Sequence, residues 1–255
     1  MAGAQRPSVL TVMTMNTGRA PGVRGPAANI QKQVIQHSIQ QWNPDIVLFQ
    51  EFNWYSDADG RTNLHREGFI GNEYVYIESL NSQEVGILFK NQIVTVRRLP
   101  TQIRIPRPRH DFIPDGSYFD PYARMCVSEV VVNRTEQIFI CISWHGPAHR
   151  SGMNNVNKRT YFARIMEFVT RLHNQYKLPV IIAGDFNLTV NDIQNPIPWP
   201  FAVHVAGNNM IDFYIATQEF TNFNTQAGNI ANQNQPAVLD HVPVLATFTL
   251  VETVS

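Results

Sequence analysis

Several apolar runs in this chain begin or finish on side chains that can do chemistry. "VLTVMTMN" ends at Asn16, "DIVLFQE" at Glu51 and "IFICISWH" at His145. "PVIIAGDFN" ends on Asp185 and Asn187, Asp212 opens "DFYIAT", and Asp240 and His241 stand just before Pro243 and the closing run. Any one of these reads as a solvated strand end, or as a histidine satisfied by backbone. Taken together they point to one site where the ends converge. Glu51, Asp185 and Asp240, with Asn16 and Asn187, offer hard oxygen donors and no thiolate, a set suited to Mg²⁺, Mn²⁺ or Ca²⁺ rather than to structural zinc. His145 and His241 are candidates for general base and acid near neutral pH. Asp212 and Glu84 can each orient an imidazole and raise its pKa. A cation, two proton-transfer groups and amide donors describe hydrolysis at phosphorus, where developing negative charge must be stabilised.

Strands must hold these groups. Pro179 to Ala183 is an uncharged run with Val and Ile at its centre, bounded by turn residues, as a buried strand requires. If that strand stays extended, Asp185 and Asn187 point the same way. Strands are also expected at "EYVYIESL", "EVGILFK", "QIVTVRRL", "RMCVSEVVV", "QIFICISW", "MIDFYIAT" and Val244 to Leu250. Ile30, Val34, Ile35, Ile39 and Trp42 recur at helical spacing, as do Val156, Phe162, Ile165, Phe168, Val169 and Leu172. A loop rich in proline and arginine is expected over about Pro100 to Pro121. The last third holds a Pro/Asn-rich loop and a polar, asparagine-rich loop over Asn222 to Asn234.

The 255 residues suffice for a large α/β domain, and 44% hydrophobic against 16% charged residues favours a globular chain over a disordered one. No linker divides it, so a single domain over residues 1–255 is expected, with the first eight or so residues flexible. The formal net charge is zero, so attraction to a polyanion has to come from a local patch. No apolar run reaches membrane-span length, and "MAGAQRPSVL" lacks a signal-peptide core, so a soluble intracellular protein is expected. Cys126 and Cys141 read as buried thiols, with a disulfide across their hairpin left open.

With these motifs in hand, the chain resembles the endonuclease/exonuclease/phosphatase superfamily, the DNase I-like fold. "MTMNTG", "DIVLFQEFN", "ISWHGP", "AGDFNLT", "MIDFYIAT" and "LDHVPV" occur in the family's order, over about Thr11 to Leu250. The resemblance implies an α/β, four-layer α-β-β-α sandwich of two mixed β-sheets, with the active site at one edge. It implies Glu51 as the principal ligand of a divalent cation, with Asn16 and Asp240 nearby. His241, paired with Asp212, would orient and activate the attacking water. His145, with Glu84 as its carboxylate partner, would contact the phosphate and protonate the leaving oxygen. Asp185 would help to position the nucleophile, Asn187 would donate to a phosphate oxygen, and Arg124 would hold substrate phosphate.

The choice of phosphoester rests on smaller signals. Arg97 to His110 carries five arginines and no acid, enough to neutralise several phosphates as a cluster, though a solvated basic loop is the safer reading for any one of them. In related nucleases an arginine tends to follow the metal-binding glutamate by two positions, where this chain has Asn53. The Trp-and-Arg pattern of inositol 5-phosphatases is missing around "GNNMIDFYI". The expectation is a Mg²⁺-dependent (or Mn²⁺- or Ca²⁺-dependent) DNase I-like endonuclease acting on DNA as a monomer. The alternatives are a phosphomonoesterase or lipid phosphodiesterase with the same metal site, and a non-catalytic binding module.

Overall fold

The computed structural model describes residues 7–18, 26–52, 57–79, 84–99, 124–147, 155–193, 196–207, 210–228 and 241–251. Among these, the β-branched and aromatic runs form strands, as such side chains fit a pleated and buried surface. In chain order the elements are β1 (Ser8–Asn16), α1 (Pro26–Trp42), β2 (Ile46–Gln50), α2 (Asn63–Arg66), β3 (Tyr74–Glu78), β4 (Val85–Lys90), β5 (Val94–Arg98) and β6 (Met125–Val132). There follow β7 (Ile138–His145), α3 (Asn155–Tyr176), β8 (Val180–Asp185), β9 (Phe201–His204), β10 (Asp212–Thr217), β11 (Phe220–Ala227) and β12 (Val244–Leu250).

Two six-stranded sheets result, ordered β11-β12-β1-β2-β4-β3 and β5-β6-β7-β8-β10-β9, and are called sheets A and B below. Each contains one parallel pair, β1 with β2 and β7 with β8, among antiparallel neighbours. A helix joins each parallel pair, α1 in sheet A and α3 in sheet B. Parallel neighbours need such a crossover, because a tight turn returns the chain antiparallel.

Three apolar layers hold the molecule together. Val12, Ile46 and Ile87 of sheet A meet Cys141, Ile181 and Tyr214 of sheet B between the sheets. The outer face of sheet A buries Val34, Ile35 and Ile39 of α1 against Met13, Val47 and Leu88. The outer face of sheet B receives Phe162, Ile165 and Val169 of α3 against Ile142, Ile182 and Ile215. Helix, sheet, sheet and helix therefore stack as the four expected layers. No described helix is long and apolar enough to cross a membrane.

Two stretches differ from the sequence reading. The expected asparagine-rich loop begins inside β11, and residues 229–240 lie outside the described residues. β11 is the edge strand of sheet A, so its polar side chains can face water while Phe220 and Phe223 pack on Phe248 at ring distances of 4.7 and 5.4 Å. A bulge between Thr221 and Asn224 breaks the period-2 pattern that betrays a strand. β9, also an edge strand, emerges from the stretch read as Pro/Asn-rich loop. The arginine-rich loop from residue 100 to 123 lies outside the described residues, as does Asn53; Arg97 and Arg98 fall in β5. Cys126 and Cys141 are free, buried thiols in the layer between the sheets. They sit on adjacent strands but not opposite each other: Cys126 faces Ser143 and Cys141 faces Ser128. Burial pushes the Cys126 thiol up to about 12 and raises that of Cys141 as well, so neither is a ready thiolate.

Candidate active site

Strand register brings the chemistry-bearing ends together. In sheet B, His145 at the end of β7 lies opposite Asp185 at the end of β8, and Asp212 at the start of β10 lies opposite Asp185 on its other side. In sheet A, Asn16 at the end of β1 lies opposite Gln50, and Glu51 follows directly. The site thus forms where both parallel pairs present their C-terminal ends, at one edge of the sandwich.

Asp185 is the hub. It is 1% exposed, and its carboxylate collects bonds from both sheets. Asn16 Nδ2 donates to Oδ2 at 3.1 Å across the sheets, and Asn187 Nδ2 donates to the same oxygen at 3.0 Å. The Asn187 backbone N–H donates to Oδ1 at 2.7 Å. Both site histidines face Oδ2: His145 Nε2 lies 3.9 Å away and His241 Nε2 3.8 Å. Glu51 completes the arrangement with Oε1 at 3.5 Å from His145 Nε2.

The sequence "GDFN" works differently from the extended reading. Asn187 has φ 53°, so the chain leaves the strand in a left-handed turn and folds the asparagine back onto Asp185. Asparagine is among the few residues with a Cβ that tolerate this region. Phe186, 2% exposed, anchors the turn by stacking on Phe213 at 4.0 Å. Gly184 is required by close approach, since a Cβ there would lie 1.8 Å from the Trp144 carbonyl oxygen. Glu51 is also left-handed, at φ 51°. Thr17 steadies it, donating its hydroxyl to the Glu51 carbonyl at 3.0 Å and its N–H to Gln50 O at 2.9 Å.

The two histidines have unlike partners. His241 Nδ1 lies 2.7 Å from Asp212 Oδ2, so a carboxylate fixes its Nδ1–H tautomer and leaves Nε2 facing Asp185. Burial pushes the Asp212 carboxyl up from its ordinary value, with the His241 bond opposing the rise and the Asp185 charge adding to it. His145 Nδ1 instead receives Arg124 Nη1 at 2.9 Å, while Glu84 Oε2 stands 3.7 Å away. Arginine only donates, so Nδ1 accepts and the proton of a neutral His145 resides on Nε2. Arg124 Nη1 also donates to the carbonyls of His145 and Gly146, at 3.3 and 3.1 Å.

Of the sequence-derived candidates, the fold brings Asn16, Glu51, Glu84, Arg124, His145, Asp185, Asn187, Asp212 and His241 to this edge. Asp240 lies outside the described residues. The donor set suits a hard divalent cation. Ligand atoms of Asp185, Asp212 and His241 lie within 4.8 Å of one another. Asp212 Oδ1 and His145 Nε2 are buried and, among the described residues, have no hydrogen-bond partner. Such orphaned buried atoms call for a ligand or water.

Sequence reasoning missed the groups that support this set. Gln50 is fully buried; its Nε2 donates to Ser143 Oγ at 3.0 Å and to Leu48 O at 2.9 Å, and its Oε1 accepts from Thr14 Oγ1 at 3.1 Å. Ser143 Oγ donates onward to Phe49 O at 2.9 Å. A serine inside the apolar run "IFICISWH" was the available signal, because a buried hydroxyl demands a partner.

The model of the Endonuclease/Exonuclease/phosphatase family matches residues 13–246. Among solved structures, TDP2 from Caenorhabditis elegans is similar at TM-score 0.65 and 16% identity, over 94% of this chain and 74% of that one. TDP2 from D. rerio, complexed with single strand DNA product, is similar at TM-score 0.62 and 13% identity, over 94% and 99%. The human Nocturnin catalytic domain, with bound sulfate anion, is similar at TM-score 0.64 and 13% identity, over 95% and 97%. By sequence, no curated protein matches the chain. The structural likeness establishes the fold, and with a family model spanning nearly all of it, the chain belongs to the endonuclease/exonuclease/phosphatase family, whose members hydrolyse phosphoester bonds.

Proposed function

We propose that this protein is a divalent-metal-dependent phosphodiesterase that cleaves nucleic acid, most specifically a DNase I-like endonuclease acting on DNA with Mg²⁺ or Mn²⁺. The observation that carries the proposal is the gathering of His145, His241, Asn16 and Asn187 around the buried Asp185 carboxylate, with Glu51 alongside. The single-stranded DNA product in the D. rerio relative supports a nucleic-acid substrate.

Glu51 and Asp185 would hold the cation, with Asn16 and Asp240 beside them. When bound, the cation supplies Lewis-acid polarisation of a phosphoryl oxygen and offsets developing negative charge. His241, held by Asp212 in its Nδ1–H tautomer, offers Nε2 as the base for the attacking water. His145 offers an Nε2–H, fixed by Arg124 at the other nitrogen, to protonate the leaving oxygen. Asn187 keeps Asp185 in place and brings a carboxamide to the same edge. Arg124 adds a fixed positive charge where a phosphate would bind.

Supercoiled-plasmid relaxation with Mg²⁺, Mn²⁺ or EDTA tests this, run beside His145→Ala. Relaxation that is abolished by EDTA and reduced roughly 10²–10⁴-fold in the variant is expected. An inert plasmid together with turnover of inositol phosphates or sphingomyelin would transfer the assignment to a phosphomonoesterase or lipid phosphodiesterase.

A further inference from the structure

Lys158 stands in the first turns of α3, and it is 2% exposed. Lysine is almost never buried to this degree unless it is paired. Its Nζ donates to the backbone carbonyl of Asn187 at 2.9 Å, the residue held in the left-handed turn. Burial lowers its pKa, and the carboxylates of Asp185 and Asp192 oppose that fall. An apolar side chain would fill the same space without burying a charge. The ammonium must therefore be accounted for by what it touches.

What it touches is the turn that shapes the centre of the site. The Asn187 N–H and side-chain amide both hold Asp185, and Asn187 Nδ2 also donates to Gly146 O at 3.1 Å, next to His145. The carbonyl of this left-handed residue accepts from Lys158 Nζ. The neighbouring Arg159 offers a built-in contrast. Its Nε donates to Asp192 O at 2.6 Å, so it ties the same helix to the same connection, but farther along the chain from Asp185.

We propose that Lys158 is a positioning residue: by gripping the Asn187 carbonyl it holds the left-handed turn closed, and so keeps the asparagine amide and side chain on Asp185. This rests on reading Asp185 as part of the reacting centre. Its position beneath the turn makes it a support for Asp185 rather than a group that meets substrate.

The test compares Lys158→Met, Lys158→Arg and Arg159→Gln in the full chain, with two readouts. One is native-state hydrogen exchange of the Asn187 amide, referred to the β8 amides of Ile181 and Ile182. The other is steady-state plasmid cleavage with Mn²⁺. Lys158→Met is expected to lose about tenfold or more of its Asn187 protection while β8 stays protected. Its kcat should fall by roughly 10–100-fold with KM little changed, the scale expected when a reacting group is misplaced by about an ångström. Lys158→Arg should recover much of both, and Arg159→Gln should leave both at wild-type values. Should Lys158→Met fail to fold, Lys158→Leu, which likewise lacks a donor, is read in the same way. Unchanged Asn187 protection in the folded variant overturns the proposal, as does an equal loss in Arg159→Gln. If wild-type protein cleaves no phosphoester, the functional reading fails on its own and the exchange measurement still decides the role of Lys158.

Discussion

The two halves of the site are held by different forces. In sheet B, His145, Asp185 and Asp212 sit on adjacent strands in register, so their spacing is set by backbone hydrogen bonds along β7, β8 and β10. In sheet A, Asn16 of β1 is in register with Gln50 of β2, and Glu51 follows directly. Among the described residues no ladder crosses from one sheet to the other. There the joining is done by side chains: Asn16 to Asp185, Gln50 to Ser143, and Tyr214 Oη to the carbonyls of Val12 and Val244 at 2.9 and 2.6 Å. Geometry within a sheet should therefore survive the loss of a single side chain. Geometry between the sheets, including the distance from Glu51 to Asp185, should not.

The largest effect is expected where the halves meet. Asp185→Ala deletes the acceptor shared by Asn16 and Asn187 and leaves buried donors without partners. Plasmid cleavage should drop roughly 10²–10⁴-fold, the range for losing a group that acts directly in proton transfer or positioning. Far-ultraviolet circular dichroism should remain that of the folded protein, because the β7–β8 and β8–β10 ladders are untouched. Retention of most of the activity would show that the convergence on this carboxylate has no catalytic meaning.

A smaller effect should follow from loosening the sheets below the site. Gln50→Leu removes the bridge to Ser143 and takes from the Thr14 hydroxyl the nearer of its two acceptors, leaving only Leu48 O at 3.4 Å, in a region without exposure. Stability should fall by about 1–3 kcal/mol, the range for leaving a buried polar group unsatisfied. The Mn²⁺ concentration needed for half-maximal activity should rise, since Glu51 is the next residue and belongs to the other sheet from Asp185. Ser143→Ala should do the same more weakly, because Gln50 keeps its bond to Leu48 O. A loss of stability in Gln50→Leu with an unchanged metal requirement would show that Glu51 is placed by its own strand alone.

This division also explains what could be read from the sequence. The residues on strand ends were legible because an apolar run that stops on Asp, His or Asn is a local signal, and the order of such runs marked the family. The central strands β2, β4, β8 and β10 were legible for the same reason, each being buried along nearly its whole length. Of the four edge strands, β3 and β5 were legible from their alternating apolar residues, whereas β9, four residues long after a proline-rich stretch, and β11, polar and broken by a bulge, read as loops. The contacts between sheets were illegible for another reason: Asn16 and Asp185 are 169 residues apart, Gln50 and Ser143 93, and no local pattern encodes such pairings. Lys158 lies within a helical pattern where a lysine ordinarily signals a solvated face, so its burial emerged only with the fold.

One link between the sheets should titrate. His204 of β9 stacks on Phe223 of β11 at 3.8 Å, joining the edge of sheet B to that of sheet A, and Thr225 Oγ1 donates to Val205 O at 2.7 Å beside them. Burial pushes the His204 imidazole down to about 4, from 6.5 in an unfolded chain. The unfolded state therefore takes up the proton first as the pH falls. This contribution to stability is whole above pH 6.5, declines between 6.5 and about 4, and changes no further below that. Because the ring is only half-buried, solvent screening limits the loss to about 1–2 kcal/mol. His65, lowered by burial with its Nδ1 accepting the Thr62 N–H and its Nε2 beside Tyr74 O, adds to the slope in the same direction. His204→Phe keeps an aromatic stack without a titrating group, so its melting temperature should fall less steeply than that of the wild type between pH 6.5 and 4. Parallel curves for the two proteins would mean that this edge contact is indifferent to charge, and that acid loosens the sandwich elsewhere.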